Sequence, residues 1–206
     1  MFKTGLVSVS FRDKSPEEII DAAVESRLNG IEWSGAHIPT GDIETATQIK
    51  YLCDKNGLQI FSYGSYFRLG VNETADFEAE VSVAAALGAK FLRIWCYDKG
   101  SNDIGNSTFD ELVSQAQAVC RIARTHDITV TLECHHSTLT DDYKTTLAFL
   151  HQVNEENLKM YWQPNQFKDD NYNLLAAHAL SDFTVCLHVF CWDSESRYPL
   201  KNGFKL

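Results

Sequence analysis

The chain has 206 residues, 44% hydrophobic, 22% charged and 12% aromatic, which describes a folded globular chain with one sizeable core and excludes a disordered one. Eighteen Lys plus Arg against 28 Asp plus Glu give a formal net charge of −10, which repels phosphate backbones and anionic membrane surfaces, so neither nucleic acid nor a membrane is an expected partner. No apolar run approaches the ~20 residues of a membrane helix and the start, from Met1, lacks a secretory pattern, which reads as cytoplasmic; six scattered cysteines without a CxxC pair read as reduced core thiols.

Short β-branched or aromatic runs alternate with longer segments of helical period. The first run, 6–11, is followed by Ser15, Pro16 and Glu18, an N-cap, a proline at the first helical position and a capping-box glutamate; Ile19, Ile20, Ala23, Val24 and Leu28 then form one apolar face. A second strand at 30–33 precedes a helix at 42–56, with Ile49, Leu52 and Cys53 inward and Gly57 after its end. Strand 59–66 leads to helix 77–87, stopped by Gly88, and strand 91–96 leads to a helix opened by a capping box from Thr108 to Glu111 and running to about His126. Strand 129–133, helix 141–153, strand 158–162, helix 171–180 and strand 184–190 follow, and residues from Asp193 to Gly203 read as a loop.

Seven strands therefore start at intervals of roughly 25–40 residues, the length of one strand, one helix and two loops, with no stretch composed like a domain linker. A doubly wound sheet usually has fewer strands and a glycine-rich turn after the first, whereas here that turn, 11–16, has no glycine. The spacing predicts an α/β fold, a TIM-type (β/α) barrel over residues 1–206.

In such barrels the active site forms at the C-terminal ends of the strands. Glu32, Trp33 and His37 follow the second strand, Tyr63, Ser65, Tyr66 and Arg68 end the third, and Arg93, Trp95 and Tyr97 lie in or after the fourth. The fifth ends in Glu133, Cys134, His135 and His136, the sixth in Trp162, Gln163, Pro164 and Asn165, and the seventh in His188, Trp192 and Asp193. Singly, such residues have structural readings: a glutamate caps a helix or pairs with a neighbouring arginine, His37 braces its turn or lines a pocket, and Trp192 near Arg197 packs or makes a cation–π contact. His126, His151 and His178 fall on helices and read as surface groups, and His135 and His136 cannot both face one way from an extended segment. Together, Glu133, Gln163 and His188 would present three donors to one point and suit a divalent ion such as Mg, Mn, Zn or Co. Arg68 and Arg93 would hold an anionic or polyhydroxylated substrate, with Glu32, His37, Tyr66, Trp95 and Trp192 around it.

These residues carry a resemblance. Residues 5–12, 30–33, 62–70, 132–135, 138–141, 161–164 and 188–193 resemble the xylose isomerase-like barrel superfamily of sugar phosphate isomerases and epimerases, and the similarity covers nearly the whole chain. The resemblance implies a divalent metal held by a glutamate on the fifth strand, an aspartate on the sixth, a histidine on the seventh and a glutamate on the eighth, the two glutamates exchanging the proton beside the substrate carbonyl. Glu133 matches the first position and His188 the third, unless a two-residue register shift puts Phe190 there. Gln163, before Pro164, stands where the aspartate is usual; without charge, it would hold the ion weakly. Sixteen residues follow Phe190, too few for an eighth strand and its glutamate, whereas barrels of this type take about 250 residues. The expectation is one C-terminally short domain whose open seam, between the first and seventh strands, a second copy of the chain would cover.

The implied function is isomerisation or epimerisation of a small sugar or sugar phosphate through an enediolate, with Glu133 and His135 catalytic and a metal at Glu133, Gln163 and His188. The alternative is a non-catalytic carbohydrate-binding or regulatory barrel, which Gln163 and the missing eighth carboxylate favour. A metal-dependent phosphodiesterase of the apurinic-endonuclease type shares the barrel but needs more His, Asp and Glu ligands.

Overall fold

A computed structural model describes residues 2–202; Met1, from which the start was read, and Gly203, the last residue of the expected loop, lie outside them. The elements are β1 (Gly5–Val7), α1 (Pro16–Glu25), β2 (Gly30–Ser34), α2 (Ile43–Lys55), β3 (Gln59–Leu69), α3 (Phe77–Leu87), β4 (Phe91–Cys96), α4 (Asn106–Arg124), β5 (Thr129–Glu133), α5 (Tyr143–Val153), β6 (Leu158–Trp162), α6 (Asp170–Ala179), β7 (Thr184–Leu187), β8 (Cys191–Trp192) and β9 (Arg197–Tyr198). Strands β1 to β7 form one sheet in sequential order, and the pairs β1/β2, β2/β3 and β6/β7 are parallel. A sheet ordered as the chain runs, with a helix after each of its first six strands, is the architecture of a TIM-type (β/α) barrel, here incomplete because seven strands take part. No helix among the described residues is long and apolar enough to cross a membrane.

Several boundaries differ from those the sequence predicts. The first strand stops at Val7 and turns into a 3-10 segment, Ser8–Phe11, because the buried Ser8 hydroxyl accepts the Ser34 backbone N–H at 2.9 Å in place of a strand carbonyl. Helix α4 starts at Asn106, so Thr108 and Glu111 lie inside it; the Phe109 N–H already bonds the Gly105 carbonyl, and Glu111 accepts from Ser107. The expected C-terminal loop contains a hairpin, β8 pairing antiparallel with β9. Its turn has no glycine and is held by Asp193, whose Oδ1 accepts the N–H groups of Glu195 and Ser196 while Oδ2 accepts the Tyr198 hydroxyl. Strand β7 ends at Leu187, three residues short of the expected Phe190, although the His188 N–H still reaches the Trp162 carbonyl at 2.9 Å.

The chain divides into two compact units. The first comprises Met1–Phe67, Glu73–Ile94 and Val119–Val130. Its first helix has the full capping box, Ser15 accepting from the Glu18 N–H and Glu18 from the Ser15 N–H, a device that contributes about 1 kcal/mol. Ile19, Ile20 and Ala23 are buried, whereas Val24, expected on that face, is exposed. Helix α2 packs on α3, and Gly88 ends α3 in the left-handed conformation that glycine adopts without strain.

The second unit comprises Arg68–Asn72, Trp95–Ala118 and Thr131–Leu206. Helices α5 and α6 meet through Tyr143 and Tyr172, and Phe109 packs edge-on against Phe149. Leu158 and Met160 of β6 are buried, but Val185, Leu187 and Val189, which alternate on one side of β7 and its continuation, are exposed, so among the described residues this side has no helical cover of the kind expected of a parallel strand.

One buried acid in the first unit sets a pH dependence. Glu80 on α3 is 4% exposed and accepts the Thr40 hydroxyl at 2.9 Å; burial raises its carboxyl pKa, and the Thr40 and Tyr63 hydroxyls offset this only in part. A raised acid binds its proton more tightly folded than unfolded, so its contribution to stability is fully present below the unfolded pKa and is lost as pH rises through the folded one. Thermal unfolding between pH 4 and pH 8 is expected to show the wild type losing stability relative to Glu80→Gln as pH rises; parallel curves would refute it.

Candidate active site

The alternation of a strand puts Glu133 of β5, Tyr161 of β6 and His188 after β7 on one face of the sheet. The backbone supports that level: the Cys134 N–H bonds the Tyr161 carbonyl at 3.0 Å and the His188 N–H bonds the Trp162 carbonyl. Glu133 and His188 are both buried, with His188 Nδ1 3.6 Å from Glu133 Oε1, and the edge of Tyr161 packs on the His188 ring. The other oxygen, Oε2, accepts the indole N–H of Trp95 at 2.7 Å. The residue facing Glu133 is thus His188, and Phe190 lies further along, its ring centroid 6.3 Å from that of His188.

Arg68 stacks on the same indole, its guanidinium carbon 4.3 Å from the Trp95 ring centroid, and its Nη1 donates to the Tyr97 carbonyl at 3.1 Å. His135 lies 5.9 Å from the Trp95 ring, with Nδ1 2.7 Å from the His136 carbonyl. A carbonyl only accepts, so Nδ1 carries a proton, and in the tautomer this selects the lone pair lies on Nε2. His136 packs on His135, ring centroids 4.4 Å apart, so the two histidines lie together and not on opposite sides as expected, because the chain turns after Glu133 and is no longer extended. Phe167 meets His136 edge to face, and burial lowers the His136 pKa. Thr140 and Thr138, to which the sequence assigned no role, brace this loop: their hydroxyls donate to the carbonyls of Glu133 and His135, both at 2.6 Å. Burial pushes the thiol of Cys134 up to about 12, so the cysteine beside Glu133 is no thiolate nucleophile at neutral pH.

Gln163, one residue beyond β6, is 6% exposed, and its side-chain oxygen is buried with no hydrogen-bond partner. Leaving such an acceptor unmade costs about 1–3 kcal/mol, which marks a position for a donor or a cation. Among the described residues no three His, Cys, Asp or Glu side chains gather at one point; Glu133, His188 and Gln163 are the residues that would hold a metal ion here. That donor set, a carboxylate, an imidazole and an amide oxygen, fits a divalent ion held through one negative charge.

The first unit holds a second polar cluster. Glu32 and Arg93 form a buried ion pair, Oε1 to Nε 3.9 Å with side chains 5% and 4% exposed, and Arg93 Nη1 donates to the Ser65 carbonyl while the Ser65 hydroxyl donates to that of Arg93. Gly64 makes the room, since a Cβ there would stand 2.7 Å from Arg93 Nη2 and 3.0 Å from Glu32 Oε1. The pairing with a neighbouring arginine is one of the two roles the sequence left open for such a glutamate. His37 does not brace its own turn but ties it to the 3-10 segment after β1, Nε2 3.2 Å from the Phe11 carbonyl, and Tyr66 is exposed. In the second unit Trp192 stacks on Phe190 with centroids 4.3 Å apart, and Arg197 lies over both rings.

Comparison with known proteins follows the same lines. The sequence-family profile described as xylose isomerase-like TIM barrel matches residues 20–190. The chain is 30% identical over 171 residues to a 3-dehydroshikimate dehydratase of Bacillus anthracis, a match covering 77% of this chain and 60% of that protein. It therefore spans less than two thirds of that curated relative. Among solved structures, a probable 3-DHS dehydratase of Bacillus anthracis superposes with a TM-score of 0.79 at 23% identity, covering 92% of this chain and 73% of the other. A D-allulose 3-epimerase from a Methylomonas species gives 0.72 at 17% identity, covering 92% and 72%.

Proposed function

The chain belongs to the xylose isomerase-like TIM barrel family, and from that membership we propose that it acts on a small polyhydroxylated carbonyl compound by removing the proton next to the carbonyl, leading to isomerisation or epimerisation. The observation that carries the reading is the buried Glu133 carboxylate, anchored through Oε2 by the Trp95 N–H and turned through Oε1 to His188. Glu133 takes the carbon-bound proton, and its anchor keeps the carboxylate from rotating away. His135, with the lone pair on Nε2, accepts a proton from a substrate hydroxyl or returns one to it. A divalent ion at Glu133, Gln163 and His188 supplies, when bound, the Lewis acidity that polarises the carbonyl.

Proton removal beside a carbonyl is also the first step of eliminating water from the next carbon, and the 30% identity to a protein named a dehydratase favours that outcome as the second reading. One experiment tests both. The protein is incubated in D2O with ketoses, ketose phosphates and polyhydroxylated keto acids, with Mn, Mg, Co or Zn ions or with chelator. Deuterium at the α-carbon with retained carbon skeleton is the expected result. Loss of water, seen as a conjugated ultraviolet-absorbing product, selects the second reading, and no exchange with any compound under any metal condition overturns both.

A further inference from the structure

We propose that Arg68 makes this site select substrates that carry an oxyanion, a carboxylate or a phosphate, in addition to their hydroxyls; this rests on the function proposed above and names its substrate class. The two arginines at the strand ends differ in what they are free to do. Arg93 is buried against Glu32 and gives Nη1 to the Ser65 carbonyl. Arg68 is half-buried and its interactions are a stack on Trp95 and one hydrogen bond to the Tyr97 carbonyl. No carboxylate pairs with it among the described residues, in a chain where acids outnumber bases by 28 to 18. A guanidinium has five N–H donors in one plane, so a face-on stack and one hydrogen bond leave the rest of that plane available.

The arm is built rather than loose. The Arg68 N–H donates to Asn72 Oδ1 at 2.8 Å, the Asn72 carbonyl accepts from Gln115, and Gln115 also accepts the Gly70 N–H, which pins the turn that carries the side chain. Gly70 holds φ +75, and a side chain there would collide with Leu112 and Tyr97. Because Trp95 covers one face of the guanidinium and hydrogen-bonds Glu133 through its edge, the positive group is fixed one indole ring from the carboxylate that takes the proton. A charge desolvated on one side and fixed in orientation binds an oxyanion bidentately without losing rotamer freedom on binding.

The test is calorimetric titration of the full chain at low ionic strength with D-glucitol, D-gluconate and D-glucitol 6-phosphate. At least one of the two anions is expected to bind about ten-fold or more tightly than the neutral polyol, by an amount that shrinks with added salt. Which anion it is tells a carboxylate substrate from a phosphorylated one. Arg68→Gln is expected to erase the preference while leaving glucitol affinity within about two-fold, and Arg68→Lys, which keeps the charge but not the planar fork, to restore part of it. Equal affinity for all three compounds, or an Arg68→Gln variant with an unchanged melting temperature that weakens all three alike, overturns the proposal. So does a failure of all three to bind, and the deuterium-exchange assay then decides separately whether the reading on which the proposal rests survives.

Discussion

Glu133→Gln is expected to lower turnover by about 10³-fold or more and to leave the fold in place. A positioned general base contributes about 10²–10⁴-fold, and glutamine at this position has no lone pair basic enough to take a carbon-bound proton. On the proposed ligand set of Glu133, Gln163 and His188 the substitution also removes the one negative charge, which would lower the affinity for a divalent ion. What it keeps is shape. The amide oxygen can still accept the Trp95 N–H that Oε2 now accepts at 2.7 Å, and the amide nitrogen then faces His188 Nδ1, 3.6 Å away in the native protein. The buried hydrogen bond is preserved, so the melting temperature is expected to stay within a few degrees while exchange at the α-carbon disappears. Activity within ten-fold of wild type would show that Glu133 is a structural partner of Trp95 and that the base lies elsewhere. Metal analysis of the same variant separates the two effects: loss of base alone leaves bound Mn unchanged, whereas loss of a ligand lowers it.

The strands that can be read from the sequence are those whose signal is local. Strands β4, β5 and β6 carry apolar or β-branched residues at nearly every position and were placed residue by residue, as was α3, which Gly88 stops. The misplaced boundaries have causes outside their own segments. Ser8 ends β1 because it meets the Ser34 backbone 26 residues away, and the β8 to β9 hairpin turns on an aspartate side chain in place of the glycine that marks most tight turns. The candidate site was legible as a set of residue types at strand ends, since a (β/α) order dictates that those ends carry the chemistry. Which of them touch was not. Arg68 and Arg93 read alike in sequence; what separates them is that Gly64 lets Arg93 settle against Glu32, while Arg68 rests on an indole and pairs with no acid among the described residues. The threonines that brace the Glu133 loop were missed because a hydroxyl bonding to a carbonyl two or more residues back leaves no periodicity to read.

Glu32→Ala is expected to destabilise the first unit by about 3–5 kcal/mol. Glu32 and Arg93 are each 3% exposed, so removing the carboxylate takes the Glu32 charge from a guanidinium that little water can reach. Gly64 makes the cost harder to avoid, because the pair sits against the β3 backbone at a distance that a single added methyl would fill. The reverse change follows the same physics: Gly64→Ala pushes on Arg93 Nη2 and costs about 1–3 kcal/mol by overpacking. A buried ion pair differs from an apolar pair in that breaking it is expensive but replacing it whole is not. The double variant Glu32→Leu with Arg93→Met is therefore expected to recover most of the stability that Glu32→Ala loses, measured as the midpoint of urea unfolding. If the pair is a structural brace, as its burial argues, that double variant also keeps the preference for an anionic polyol. Recovered stability with a lost preference would move the anion from Arg68 to Arg93, and an additive loss from the two substitutions would mean the side chains do not act as a pair.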